Sequence, residues 1–210
     1  YQPFYICEMD WCQRDKRRLC VSELKHLEAI GPDATGLRTS MEWRDDRFAH
    51  VVDWVAGEQV FRLLESVEGN AEDCWPPSPA LQDLSVEQRT QSRQVGLMVG
   101  MAGNSHWSMS MENDHPQRSL LFDVACRVAD EEAGSLGTTY RCSVPVKIAD
   151  PIQKIAELSI AGRTCRIKIE STGRGELDNL EIDGNLIKIT PTEKPASWPA
   201  TVRWKYRLFG

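Results

Sequence analysis

The chain has 210 residues, 41% of them hydrophobic and 27% charged, with a formal net charge of −6. That size suits one large domain, or a main domain with a small appendage, able to bury a full core. The acidic total argues against a dedicated nucleic-acid binder, and no apolar run reaches the roughly 20 residues of a membrane helix, so a soluble protein is expected.

Residues 1 to 40 read as a short helical, cysteine-containing appendage. They begin with Tyr1, Phe4, Tyr5 and Trp11, continue through the basic run Arg14, Lys16, Arg17 and Arg18, and place Leu24, Leu27 and Ile30 at helical spacing before Gly31-Pro32. Gly-Pro is a helix stop. From 41 to 210 the pattern is that of an antiparallel all-β domain. Val51 to Val55 and Phe61 to Leu64 form a first hairpin around Ala56-Gly57-Glu58. Cys74-Trp75-Pro76-Pro77-Ser78-Pro79 is a rigid extended connector, because its prolines lack amide donors and fix φ, and it is expected to cross between sheets. Ser78 and Pro79 suit the start of a short helix carrying Leu81 and Leu84.

Gln94 to Met101 is nearly all apolar and turns at Gly103-Asn104 into His106 to Glu112. There Trp107, Met109 and Met111 share one face and His106, Ser108 and Ser110 the other. Leu120 to Val128 and Thr138 to Val146 follow as strands. Two tight hairpins come next, one turning at Ala161-Gly162 and one at Asp183-Gly184-Asn185, where Asp-Gly between alternating apolar residues is a strong turn signal. The final strand directs Val202, Trp204, Tyr206 and Leu208 inward and Arg203, Lys205 and Arg207 outward. Some ten short strands at this spacing define an antiparallel β-sandwich, with a closed barrel as the alternative.

The seven cysteines are odd in number and lack the dense spacing of a disulfide scaffold, which points to a reducing compartment and a cytoplasmic location. Cys126, Cys142 and Cys165 fall on apolar strand faces as core residues. A Cys126–Cys142 bridge is the one pairing left open.

Four groups of residues are candidates for function. Cys7, Cys12, Cys20 and His26 are soft ligands in a segment too short for its own core, and a structural zinc would order it; no other cofactor is implied. His106 and Ser108, with Asp123 or Asp114 as an orienting carboxylate, are the residue types of a hydrolase, although no nucleophile elbow accompanies them. The carboxylates and histidine at Asp45, Asp46, His50 and Asp53 suit an oxygen-rich site, while Glu65, Glu68, Glu72 and Asp73 read as an acidic hairpin end. Finally, Arg166, Lys168, Lys188, Arg203, Lys205 and Arg207 form a basic stripe if their strands share a sheet, and Trp43, Trp75 and Trp198 lie in connectors where they can touch a partner. Residues 147 to 210 support that stripe, with 11 Lys and Arg against 8 Asp and Glu, whereas residues 1 to 146 have 14 against 23. The reading that follows is a soluble, non-catalytic β module that binds an acidic protein or an anionic ligand through Trp75, Trp198, Arg203, Lys205 and Arg207. A hydrolase centred on His106 and a zinc-stabilised docking protein are the alternatives.

Overall fold

The computed structural model describes residues 25–129, 134–160, 162–173 and 176–210. Among them are the strands β1 (Lys25–Ile30), β2 (Thr35–Arg44), β3 (Arg47–Ala56), β4 (Gln59–Ser66), β5 (Asp83–Thr90), β6 (Arg93–Ala102), β7 (Ser105–Asp114) and β8 (Ser119–Val128). The second half adds β9 (Thr138–Cys142), β10 (Val146–Asp150), β11 (Ile155–Ile160), β12 (Arg163–Ile169), β13 (Asn179–Asp183), β14 (Leu186–Thr190) and β15 (Ala200–Phe209). No described residue is helical, and hence no helix is long and apolar enough to cross a membrane.

Two antiparallel sheets pack face to face. One runs β1-β2-β3-β4-β9-β14-β13 and the other β10-β11-β12-β15-β8-β7-β6-β5. Each begins as a four-strand meander, β1 to β4 or β5 to β8, and is widened by strands from the second half of the chain. Among the described residues the end strands of both sheets pair on one side only, so the architecture is a sandwich and not a closed barrel.

The alternation of the sequence produces this arrangement directly. Successive strand side chains point to opposite faces, so an apolar residue at every second position gives one face that must leave water. Val202, Trp204, Tyr206 and Leu208 of β15 and Leu120, Phe122, Val124 and Cys126 of β8 are all buried. Each such side chain contributes about 1.5 to 3 kcal/mol by leaving water. Phe122 and Tyr206 stack with ring centroids 5.0 Å apart, and Trp107 meets Trp204 edge-on at 6.1 Å. Burial pushes the thiols up, Cys142 to about 11 and Cys126 and Cys165 to about 12, and all three are free. They act as small core hydrophobes.

The hairpins expected around Gly57, Gly103 and Gly184 are present. Gly103 sits at φ +53, the left-handed region that suits a tight turn. Gly100 serves a different purpose: a Cβ there would lie 2.1 Å from the Ala80 carbonyl oxygen. Its bare backbone lets the segment before β5 close over β6.

Three expectations are corrected. The helix expected at Leu27 and Ile30 is strand β1, in which Leu27 and Ala29 are buried while His26 is exposed and Glu28 half-buried. Gly31-Pro32 belongs to the turn into β2, where Gly31 N–H donates to the Thr35 carbonyl at 2.8 Å. The helix expected after Ser78 is absent, because neighbouring strands use this backbone: the Leu81 carbonyl accepts from Phe48 N–H and Gln82 N–H donates to the Val99 carbonyl. The single strand expected over 138–146 is two strands in different sheets, separated by Ser143-Val144-Pro145, and proline provides no amide to continue the ladder. The Pro-rich connector carries the chain from the first sheet to the second, as expected.

Candidate functional site

The outer face of the eight-stranded sheet carries most of the residues singled out in the sequence. Strand register fixes their order. Met101, His106 and Arg127 form one row across β6, β7 and β8; Val99, Ser108, Ala125 and Arg203 form the next; Leu97, Ser110, Asp123 and Lys205 the third. From β6 outward the face therefore passes from an apolar strip to a strip of hydroxyls and imidazole and then to cations. Val99 and Met101 are 53% and 46% exposed. Lys168 extends the cationic region beside Arg207, and Arg166 lies on the same face of β12.

Much of this charge is already engaged. Arg203 Nε donates to Asp123 at 2.6 Å, and Lys205 approaches the same carboxylate at 3.8 Å. Arg207 donates to Glu170 at 3.0 Å and to Ser119. Arg166 donates to Glu157 at 3.1 Å and, with Lys147 nearby, holds its carboxyl below the usual carboxylate range despite some desolvation. Arg127 and Lys168 have no carboxylate within ion-pair distance among the described residues. Arg127 was missed in the sequence reading, although its place in Asp123-Val124-Ala125-Cys126-Arg127 puts it outward by simple alternation. Lys188 does not join this face: β14 belongs to the other sheet, where Lys188 pairs with Asp183 at 3.0 Å.

His106 and Ser108 are exposed on the same side of β7. Asp123 lies opposite Ser110 and is committed to Arg203. Asp114 interacts with Arg93 at 3.4 Å. Neither carboxylate has a hydrogen bond to the His106 ring. Trp75 and Trp198 are half-buried and packed against the core, while Trp43 is 41% exposed and sits edge-on to Phe48. Cys7, Cys12 and Cys20 lie outside the described residues. His26 projects from β1, and no group of three or more potential metal ligands occurs among the described residues.

The cluster around residue 50 does not converge on one site. Asp53 faces outward between Arg62 at 2.7 Å and Arg38 at 3.7 Å. Asp46 grips Arg47 through both carboxylate oxygens, and the strong guanidinium bond keeps its carboxyl low. His50 turns inward, and burial pushes its imidazole down to about 3, so it is neutral. Its Nε2 lies 2.6 Å from the Tyr140 hydroxyl, which is 2.7 Å from the Tyr206 hydroxyl. Tyr206 also bonds Thr138, whose Oγ1 accepts from Trp204 Nε1 at 2.9 Å. This chain of polar groups crosses from one sheet to the other inside the core.

Glu68 belongs to the same region and is not the exposed hairpin residue expected. Its carboxylate accepts from Ser66 Oγ at 2.5 Å, and Ser66 Oγ accepts from His50 N–H at 2.8 Å. Burial pushes the Glu68 carboxyl up to about 7, against the opposing pull of Ser66, Arg47 and Arg44. A polar residue two positions after a strand gives no sequence signal of this kind, because its surroundings, among them Arg47 and Tyr140, are brought to it by the fold.

Compared with known proteins, the chain matches no family model, no curated protein and no solved structure.

Proposed function

We propose that this chain is a non-catalytic recognition module that presents the outer face of its eight-stranded sheet to an acidic segment of a partner protein. The observation that carries this reading is a local excess of positive charge. On β8, β15 and β12, Arg127, Arg166, Lys168, Arg203, Lys205 and Arg207 share a face with Asp123, Glu157 and Glu170, on a chain whose net charge is −6. Such a field steers an acidic partner toward one surface of an otherwise repelling molecule. The neighbouring Val99 and Met101 offer apolar contact to residues flanking the acidic segment. A hydrolase at His106 finds less support, since Asp123 is taken up by Arg203.

Poly-L-glutamate is a suitable probe. Fluorescence anisotropy should show it binding at low salt and dissociating as salt rises. The double variant Arg127→Glu/Lys168→Glu should lose at least tenfold in affinity, on the order of 1.4 kcal/mol. Absence of binding at low salt, or binding that the double variant leaves unchanged, refutes the reading.

A further inference from the structure

The two sheets part along the rim where β1 ends one and β5 ends the other. An open groove of about 280 Å³ lies there, lined by His26 and Glu28 of β1, Gln88 of β5, Gln91 of the following turn, Gln94 of β6 and His115. Its wall is held by Asn113, a side chain only 1% exposed. Asn113 Oδ1 accepts from Gln94 N–H at 2.6 Å, while its Nδ2 donates to the Glu28 carbonyl and to His115 Nε2 at 3.2 Å. His115 Nδ1 in turn donates to the Ile30 carbonyl at 3.1 Å. One buried amide thus fixes a strand of each sheet and the imidazole between them, so the groove is formed in advance of any ligand.

The lining has a narrow chemistry. Gln91 and Gln94 each offer a donor beside an acceptor, Gln88 offers its Oε1 because its Nε2 already donates to the Thr90 and Arg93 carbonyls, and the Glu28 carboxylate offers acceptors alone. Among the residues that line the groove there is no lysine or arginine to hold an anion and no tryptophan, tyrosine or phenylalanine, its rings being the imidazoles of His26 and His115. The volume of about 280 Å³ lies just below the usual range of drug-sized ligand sites, which restricts the groove to a small ligand. Vicinal hydroxyls, each both donor and acceptor, match carboxamide pairs and can donate together to a carboxylate. We propose that this groove binds a small neutral saccharide, with Gln88, Gln91, Gln94 and Glu28 holding its hydroxyls. The site is separate from the cationic face of β8, β15 and β12, and neither proposal depends on the other. An open groove without an indole, phenol or phenyl platform binds weakly, with a dissociation constant on the order of 1 mM.

The test is a titration of the full chain with glucose, galactose, N-acetylglucosamine and maltose, followed by ¹H–¹⁵N spectra of the glutamine side-chain amides. At least one sugar should give saturable shifts at Gln88, Gln91 and Gln94. Gln91→Ala, in an exposed turn, and Glu28→Gln should each weaken that binding about tenfold, with the remaining backbone spectrum unchanged as the check on folding. Two results overturn the proposal: no saturable shift with any sugar at roughly 100 mM, a hundredfold above the expected constant, or shifts at these amides produced by triglycine and by none of the sugars.

Discussion

The two outer faces of the sandwich treat charge in opposite ways. On the seven-stranded sheet, charges of alternating sign run through the series Glu28, Arg38, Asp53, Arg62, Glu65, Arg44 and Glu42, each in contact with the next. Arg44 is bound at 2.7 Å by Glu42 and at 2.5 Å by Glu65, which together raise its guanidinium, while Arg44 lowers the Glu65 carboxyl. Ala49 and Val51 on β3 are fully buried. Long side chains laid over a strand cover apolar positions in this way. The eight-stranded sheet has cations left over, and it is this charge that separates the faces, since both expose apolar side chains, Val99 and Met101 on one sheet and Val60 on the other. One face neutralises most of its own charge, whereas the other leaves cations without a carboxylate partner among the described residues, and the proposed recognition surface rests on that difference.

The largest effect is expected from the carboxylate that belongs to neither face. Because the Glu68 carboxyl is raised to about 7 from 4.5, the folded state holds its proton more tightly than the unfolded chain. The resulting stabilisation is complete below pH 4.5 and is lost as pH rises through about 7, to a limit of about 3 kcal/mol. His50 acts in the opposite sense. Its imidazole is lowered to about 3 from 6.5, so its contribution is complete above pH 6.5 and is lost as pH falls toward 3. The difference in unfolding free energy between wild type and Glu68→Gln, measured by urea titration at several pH values, isolates the Glu68 component. A difference that does not change between pH 4.5 and 7 would show that this carboxyl is solvated.

Asp53→Asn sharpens the contrast between the faces directly. The Asp53 side chain is 6% exposed and serves two arginines, so its loss should cost about 2 kcal/mol by thermal or urea unfolding. Asp123→Asn is the matching change on the other sheet. Asp123 also serves two cations, but Arg203 is 44% exposed, and the cost should stay below about 1 kcal/mol. The same variant should tighten poly-L-glutamate binding, since it frees Arg203 and Lys205. Smallest of all, Arg127→Glu/Lys168→Glu should change stability by less than about 0.5 kcal/mol while removing that binding. If Asp53→Asn and Asp123→Asn proved equally costly, the distinction between a structural face and a recognition face would fall.

The alternation in sequence was sufficient for the hairpins and for the facing of individual residues. Trp107, Met109 and Met111 are buried and His106 and Ser108 exposed as expected, and the Asp183-Gly184-Asn185 turn joins β13 to β14. These are local properties, set by side-chain direction along one strand and by the few residues of one turn. Which strands share a sheet was not legible. Thr138 to Val146 is one apolar run in sequence and two strands in space, and Lys188 stands on the face opposite to Arg203 although both point outward. Pairings such as β4 with β9 and β8 with β15 close long loops, and they are decided by how both sheets fill the space between them. The same applies to the polar residues. Sequence identified His50, Asp53 and Glu68 as charged or titratable, but only the packed fold decided that His50 joins a buried chain of hydroxyls, Asp53 locks an outer face and Glu68 is half-buried against Ser66. The residue type determines what a group can do, and its surroundings, assembled from distant strands, determine which of those things it does.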